Sequence, residues 1–183
     1  EPLIQGAAAM QMHDPEGLEK IVTLLKSYGV ITVADEVMTG FGKTGKYFAS
    51  DHLSVKPDVM CMSKALTAGL VPMAVTSCTQ QIYDAFYSNE ISKGLFHGHT
   101  YTANPLACTA ALAGIALLKS EEIQQNIQRI ITSHKKFDAE IKNNPKVART
   151  RQTGTIYALD LNIEMERYGN LRDKLMNHFM QNG

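Results

Sequence analysis

Three short apolar runs constrain this chain more than any other feature of its sequence. "VITVAD" (residues 30–35), "DVMCM" (58–62) and "PMAVTSC" (72–78) have the length and composition of strands, and the first is of the β-branched type covered on both faces in a parallel sheet. Helical patterns stand on either side of them. Asp14 caps and Pro15 opens a helix with Leu18, Ile21, Val22, Leu24 and Leu25 on its apolar side and Gly29 past its end. After the third run come a helical "QQIYDAFYS", a loop rich in Gly and His, and Asn104-Pro105, a cap and first-turn pair. The segment that follows, "LACTAALAGIALL", is apolar on nearly every side and is expected to be an interior helix. The pattern predicts an α/β fold with a mostly parallel sheet.

From Ser120 the texture changes. "EEIQQNIQRIITSHKKFDAEIKN" reads as a long charged helix with Ile123, Ile127, Ile130, Ile131 and Phe137 along one side, and "GTIYALDLN" alternates like a half-exposed strand. "NLRDKLMNHFMQNG" is an amphipathic helix stopped by Gly183. These features divide the chain into residues 1–119, part of a larger α/β domain, and residues 120–183, the beginning of a smaller α+β domain.

With 44% hydrophobic residues the chain can bury a substantial core, and its eighteen basic and eighteen acidic residues cancel, so overall charge favours neither nucleic acid nor an anionic membrane. No apolar run is long enough to span a bilayer. The cytosol is the expected compartment, and Cys61, Cys78 and Cys108, odd in number and widely spaced, are expected to be reduced, buried thiols. His97 and His99 lack a third ligand at useful spacing, so no metal site is expected.

"GFGKTGKY" resembles a phosphate-cradling loop, since Gly40, Gly45 and Lys46 fill the first, sixth and seventh places of that pattern. Tyr47 stands where a small hydroxyl would be needed, no helical stripe follows, and Asp35 and Glu36 put negative charge close to where a triphosphate would sit. The nucleotide reading therefore fails.

Ligands of open α/β sheets collect at the carboxyl ends of the strands. Asp35 ends the first run and Lys64 follows the second, 29 positions later. An amine at a low-dielectric strand end has its charged form disfavoured and can form a Schiff base with an aldehyde. A carboxylate beside it needs a cation, and the protonated pyridine nitrogen of pyridoxal phosphate is one. Opposite charges about 4 Å apart attract by roughly 4 kcal/mol at an effective dielectric near 20, enough to keep that nitrogen protonated at neutral pH.

"VADEVMTGFGKTGKYFASDHLSVKPDVMCMSKALTAG" (residues 33–69) resembles the signature of the class III pyridoxal-phosphate aminotransferases in its Asp-to-Lys interval, its Gly-Phe-Gly and the Asp58 before the second run. The resemblance implies a fold-type I transferase. It makes Lys64 the Schiff-base lysine and proton shuttle, Asp35 the partner of the pyridinium, and Val37 a wall against the ring. His99, through its backbone, and Thr100 would hold the cofactor phosphate of a neighbouring subunit, which implies a homodimer, and Gly98 would border the substrate. "EPLIQGAAAM" and "FHGHTYTANPLACTAALA" further resemble the branch that moves an amino group from S-adenosylmethionine to 8-amino-7-oxononanoate in biotin synthesis. Class III enzymes acting on ornithine, 4-aminobutyrate or similar ω-amines, and a non-catalytic module of the same fold, are the alternatives. Ala7, Ala8, Ala9 and Ala68 stand where glycine is common in the class. The class's phosphate-binding loop and aromatic substrate residues are expected upstream of Glu1, and its carboxylate-binding arginine downstream of Gly183. The chain is thus expected to be an internal segment of a protein about twice as long, inactive by itself.

Overall fold

The computed structural model describes residues 1–163 and 169–182, which form seven strands and five helices. The expected stop at Gly183 lies outside the described residues. β1 (Ile4–Gln5) and β2 (Gln11–Met12) make a short antiparallel ribbon, followed by α1 (Pro15–Ser27), whose Asp14 cap accepts from Gly17 N–H at 2.8 Å. β3 (Val33–Asp35), β4 (Val59–Met62) and β5 (Val75–Cys78) then form one sheet in that order.

The sheet is mixed. β3 and β4 run parallel, with Val33 opposite Val59 and Asp35 opposite Cys61, whereas β4 and β5 run antiparallel. Among the described residues the expected mostly parallel sheet is therefore one parallel pair and one antiparallel pair. The connections explain the difference. From β3 the chain returns through the glycine-rich loop to start β4 at the same end, while the turn of residues 63–74 sends β5 straight back along β4.

Three burial expectations are corrected. Cys78 is exposed and Cys61 and Cys108 are only half-buried, because the elements that carry them are covered on one side at most. Only Val33–Asp35 of "VITVAD" is strand, and it is not covered on both faces, for Val33 is 61% exposed and Ile31 is exposed too. β3 is the outer strand here and has one cover: Leu18 and Val22 of α1 share a hollow of about 140 Å³ with Thr32, Val33 and Ala34. The helix "LACTAALAGIALL" is α3 (Pro105–Leu118), capped by Asn104 Oδ1 accepting from Leu106 N–H and Ala107 N–H, but it is not interior. Ala107 and Ala111 are buried on one side, while Leu106 and Leu112 are 77% and 69% exposed on the other. Small residues on the packed side let the helix lie close: a Cβ on Gly114 would come within 3.1 Å of the Leu66 carbonyl oxygen.

α2 (Gln80–Phe86) precedes the exposed loop, and α4 (Glu121–Ile141) begins directly after α3 under a Ser120 cap. β6 (Val147–Thr153) and β7 (Ile156–Leu161) form an antiparallel hairpin, and α5 (Leu171–Asn182) follows. The core cluster joins residues far apart in the chain: Leu3, Ile4 and Ala49 pack with Met10, Met12, Leu18, Met38 and Ile156 of β7. Buried Arg151 of β6 ties that strand to the turn between β1 and β2. Its guanidinium pairs with both oxygens of Asp160 and donates to the carbonyls of Ala9 at 3.0 Å and Met10 at 3.1 Å, two residues in left-handed conformations.

Candidate active site

The site is built on the carboxyl edge of the parallel pair. Because Asp35 pairs with Cys61, the residues that leave β3 and β4 emerge side by side. Alternation puts Asp35 outward and Glu36 inward. Glu36 is fully buried and extends the parallel ladder by donating its N–H to the Cys61 carbonyl at 2.8 Å. Its carboxylate accepts from Thr39 Oγ1 at 2.5 Å, Ala49 N–H at 3.0 Å, and both Ser50 N–H and Ser50 Oγ at 2.7 Å. No cation pairs with Glu36 among the described residues; four donors, two of them backbone amides at the start of the 3₁₀ turn Ala49–His52, satisfy the charge instead. The glycine-rich loop is thereby fastened at both ends to one carboxylate.

Asp35 is exposed, and its Oδ1 accepts from Val37 N–H at 2.9 Å in a short side-chain turn that also places the half-buried Val37 beside it. None of the salt bridges among the described residues involves Asp35. Lys64 follows β4 through Ser63, whose hydroxyl donates to the Met73 carbonyl at 2.7 Å. Lys64 has a φ of 45°, an uncommon left-handed conformation for a long side chain, and opens the 3₁₀ turn Lys64–Thr67 with its amine exposed. Buried Thr67 holds the far end by donating to the Val71 carbonyl at 2.6 Å, and Ala68, at φ 52°, ends the turn in the conformation a glycine adopts most easily. An acid without a cation and a lysine in a fixed, strained backbone position thus share one strand edge. This donor set fits pyridoxal phosphate: an amine for its aldehyde and a carboxylate for its ring nitrogen.

The remaining predicted residues belong to a different segment of the chain. Gly98, His99 and Thr100 belong to an exposed loop whose His99, Tyr101 and Thr102 line a cleft of about 670 Å³ together with Ser63, Met73 and Asn104. His99 N–H donates to Thr102 Oγ1 at 3.0 Å, so this backbone amide is already engaged, and Tyr101 N–H donates to His99 Nδ1 at 3.1 Å. The structure brings Asp35, Val37 and Lys64 to one edge and puts His99, but neither Gly98 nor Thr100, in the lining of the cleft that Ser63 also borders.

Sequence reasoning missed the anchoring role of Glu36, since a second acid after Asp35 looks like any surface charge. The signal available was the run of hydroxyls and small residues that follows it, Thr39 and Ala49-Ser50. It also gave no role to Asp58, whose carboxyl is held down at about 2 by hydrogen bonds from Lys26 Nζ at 2.7 Å and from the Thr32 amide and hydroxyl. Asp58 fixes the entry of β4 relative to β3 and α1, and so the spacing of Asp35 and Lys64.

The sequence matches the family of class III aminotransferases over residues 1–183. It is 44% identical over 162 residues to an adenosylmethionine-8-amino-7-oxononanoate aminotransferase of Synechococcus elongatus, covering 88% of this chain and 38% of that protein. The fold matches the enzyme of the same name from Methanocaldococcus jannaschii with a TM-score of 0.81 at 39% identity, over 87% of this chain and 37% of that one. It also matches an ornithine aminotransferase of Toxoplasma gondii, with PLP at partial occupancy in its active site, with a TM-score of 0.77 at 27% identity, over 88% of this chain and 37% of that one. The chain therefore spans under two-fifths of the length of these relatives, along an α/β architecture they share. It belongs to the class III aminotransferases.

Proposed function

We propose that the protein, in its full length, is a pyridoxal-phosphate-dependent transaminase that moves an amino group from S-adenosylmethionine to 8-amino-7-oxononanoate, giving 7,8-diaminononanoate for biotin synthesis in the cytosol. The observation that carries the chemistry is the placement of Asp35 at the end of β3 and of Lys64 just past the end of the neighbouring parallel strand β4. When bound, the cofactor would supply an electron sink for the substrate. Lys64 would hold its aldehyde end and move the proton at the substrate α-carbon. Asp35 would keep the proton on the ring nitrogen, and Val37 would pack against the ring. The main chain at His99 and the Thr100 hydroxyl take the phosphate of a neighbouring subunit in a homodimer, with Gly98 beside the substrate. Residues 1–119 belong to the large domain and 120–183 begin the small one.

The choice of donor and acceptor rests on the names of the relatives from Synechococcus elongatus and Methanocaldococcus jannaschii. The likeness to an ornithine aminotransferase supports the second reading, a transaminase of ω-amines. Borohydride reduction of the full-length holoprotein followed by peptide mapping is expected to leave a pyridoxyl group on Lys64, and its absence there would refute the catalytic reading in favour of a non-catalytic module. A donor screen then decides the substrate: activity with ornithine and none with S-adenosylmethionine would overturn the first reading.

A further inference from the structure

Lys64 holds a backbone conformation that its own residue type disfavours. A φ of 45° is costly for a long side chain and persists only where the surroundings over-determine it. The amine does not supply that restraint, for Lys64 is exposed and forms no salt bridge among the described residues. The backbone bonds of the turn are local: Leu66 N–H donates to the Ser63 carbonyl at 3.0 Å, Ala68 N–H to the Ala65 carbonyl at 3.0 Å, and Leu70 N–H to the Thr67 carbonyl at 3.1 Å. They shape the turn without tying it to the sheet. Two hydroxyls reach further, one on each side of Lys64. Ser63 Oγ donates to the Met73 carbonyl at 2.7 Å and Thr67 Oγ1 to the Val71 carbonyl at 2.6 Å. Both acceptors lie on the segment that enters β5, which runs back beside β4 from Val75 opposite Met62.

The two ties are unequal. Thr67 is 1% exposed, so its hydroxyl must find its acceptor inside the protein, whereas half-buried Ser63 borders the cleft of about 670 Å³, where water can take its place. The acceptor of Thr67 is itself restrained. Val71 precedes Pro72, and a residue before proline is confined to extended conformations, which fixes the direction of its carbonyl. On another side α3 keeps the turn from shifting: a Cβ on Gly114 would lie 3.1 Å from the Leu66 carbonyl oxygen and 3.5 Å from the Ala68 nitrogen. Leu66, buried, lines an apolar hollow of about 690 Å³ with Met62, Met73 and Ala111. Packing thus sets the depth of the turn, and the hydroxyls set its tilt.

We propose that Thr67, with Ser63 as its weaker partner, is a positioning residue for Lys64: its hydroxyl holds the far end of the turn to the Val71 carbonyl and so keeps Lys64 in the left-handed conformation that aims its amine. The inference rests on the proposed role of Lys64 and deepens it. Thr67 acts through the backbone, three residues along the chain. If the tie is cut, φ of Lys64 can relax toward the negative values that lysine favours, and the Cα–Cβ bond turns, carrying the amine away from its present direction. The position calls for a hydroxyl rather than for a branched volume, so serine can replace threonine there and valine cannot.

The test is the rate at which the full-length apoprotein captures pyridoxal phosphate, read by borohydride trapping at timed intervals and peptide mapping. Misplacing a reacting group by about 1 Å can cost on the order of a hundredfold, and a loosened turn still visits its native position, so T67V is expected to slow capture at Lys64 about tenfold. T67S should stay within about twofold of wild type. Labelling of exposed Lys20 on α1 should be the same in all variants, which separates aim from general reactivity. In the holoprotein, the visible circular dichroism of the cofactor should weaken in T67V and return in T67S. Wild-type capture by T67V would overturn the inference, as would T67S as slow as T67V. If T67V fails to fold, S63A carries the test: capture about twofold slower at an unchanged urea midpoint is expected, and capture at the wild-type rate would overturn the inference. A wild-type protein without an adduct at Lys64 fails the transaminase reading itself; an adduct there with unaltered capture by the variants fails this inference alone.

Discussion

Residues 36–52 and residues 87–103 are both mostly loop, and both lie near the edge where Lys64 emerges, yet they are held in opposite ways. In the first, Glu36 reaches 13 and 14 positions along the chain to Ala49 and Ser50, and Lys43 is tied to Thr155 at a separation of 112. In the second, every residue is exposed, and the side-chain hydrogen bonds are local: Glu90 N–H to Ser88 Oγ, Lys93 to Glu90, His99 N–H to Thr102 Oγ1. Long-range polar contacts fix the loop on Lys64's strand edge independently of any partner, whereas local ones shape a loop without fixing it to the body. The first region adjoins Asp35 and Val37, proposed above for the cofactor ring; the second carries Gly98, His99 and Thr100, proposed above to serve a neighbouring subunit.

The largest test of that contrast is Glu36→Ala. Four donors at 2.5–3.0 Å would lose their acceptor inside the fold. A loss of about 4 kcal/mol in urea unfolding is expected, because removing a buried charge leaves its partners unsatisfied. A loss below about 1 kcal/mol would mean that water replaces the carboxylate and that the loop is not anchored there. A matched pair of glycines sharpens the same point. A Cβ at Gly154, at φ 60°, would sit 2.2 Å from the Thr44 carbonyl carbon and 2.5 Å from the Lys43 carbonyl oxygen. Gly154→Ala should therefore cost about 3 kcal/mol, as backbone must move. At Gly98 the same Cβ would meet only Thr102 Oγ1 at an ordinary 3.5 Å, and Gly98→Ala should stay within about 0.5 kcal/mol.

The anchored region was partly legible in the sequence and the exposed one only in outline. Helix ends were readable because capping is local chemistry: Asp14 with Pro15, and Asn104 with Pro105, act within three residues. The adjacency of β3 and β4 was readable from two apolar runs, each followed by a charged residue. What escaped depends on distant partners. β2 is two residues long and exists because it pairs with β1; β6, "VARTRQT", has no alternating apolar face, and its Arg151 is buried only because Ala9, Met10 and Asp160 receive it. Burial of "VITVAD" and of α3 was overestimated for a related reason: composition reports what a segment could bury, while the neighbours present decide how much it does.

A smaller effect separates the anchored region by pH. Asp58, hydrogen-bonded to Lys26 and Thr32, has its folded-state carboxyl lowered to about 2, below its value in the unfolded chain. The unfolded state therefore binds the proton more readily, and this group's contribution is present above the ordinary aspartate range and lost as pH falls through about 2. Stability curves measured from pH 5 down to pH 2 should fall less steeply for Asp58→Asn than for wild type. Parallel curves would show that the Asp58 network does not set the β3–β4 junction.

The smallest effect falls in the exposed loop. Ile91 and Phe96 are 82% and 79% exposed, so neither side chain gains from folding of a single chain. Ile91→Ser and Phe96→Ser should each change urea stability by less than about 0.5 kcal/mol at concentrations where the protein is monomeric. The homodimer proposed for the 98–100 segment would give the same substitutions a second consequence. If that segment meets a neighbouring subunit, apolar side chains flanking it are covered on association, and sedimentation should show weaker dimers for both variants with monomer stability unchanged. Loss of monomer stability would instead mean that the loop packs on its own chain, erasing the difference between the two regions; unaltered association by both would take this loop out of the subunit contact.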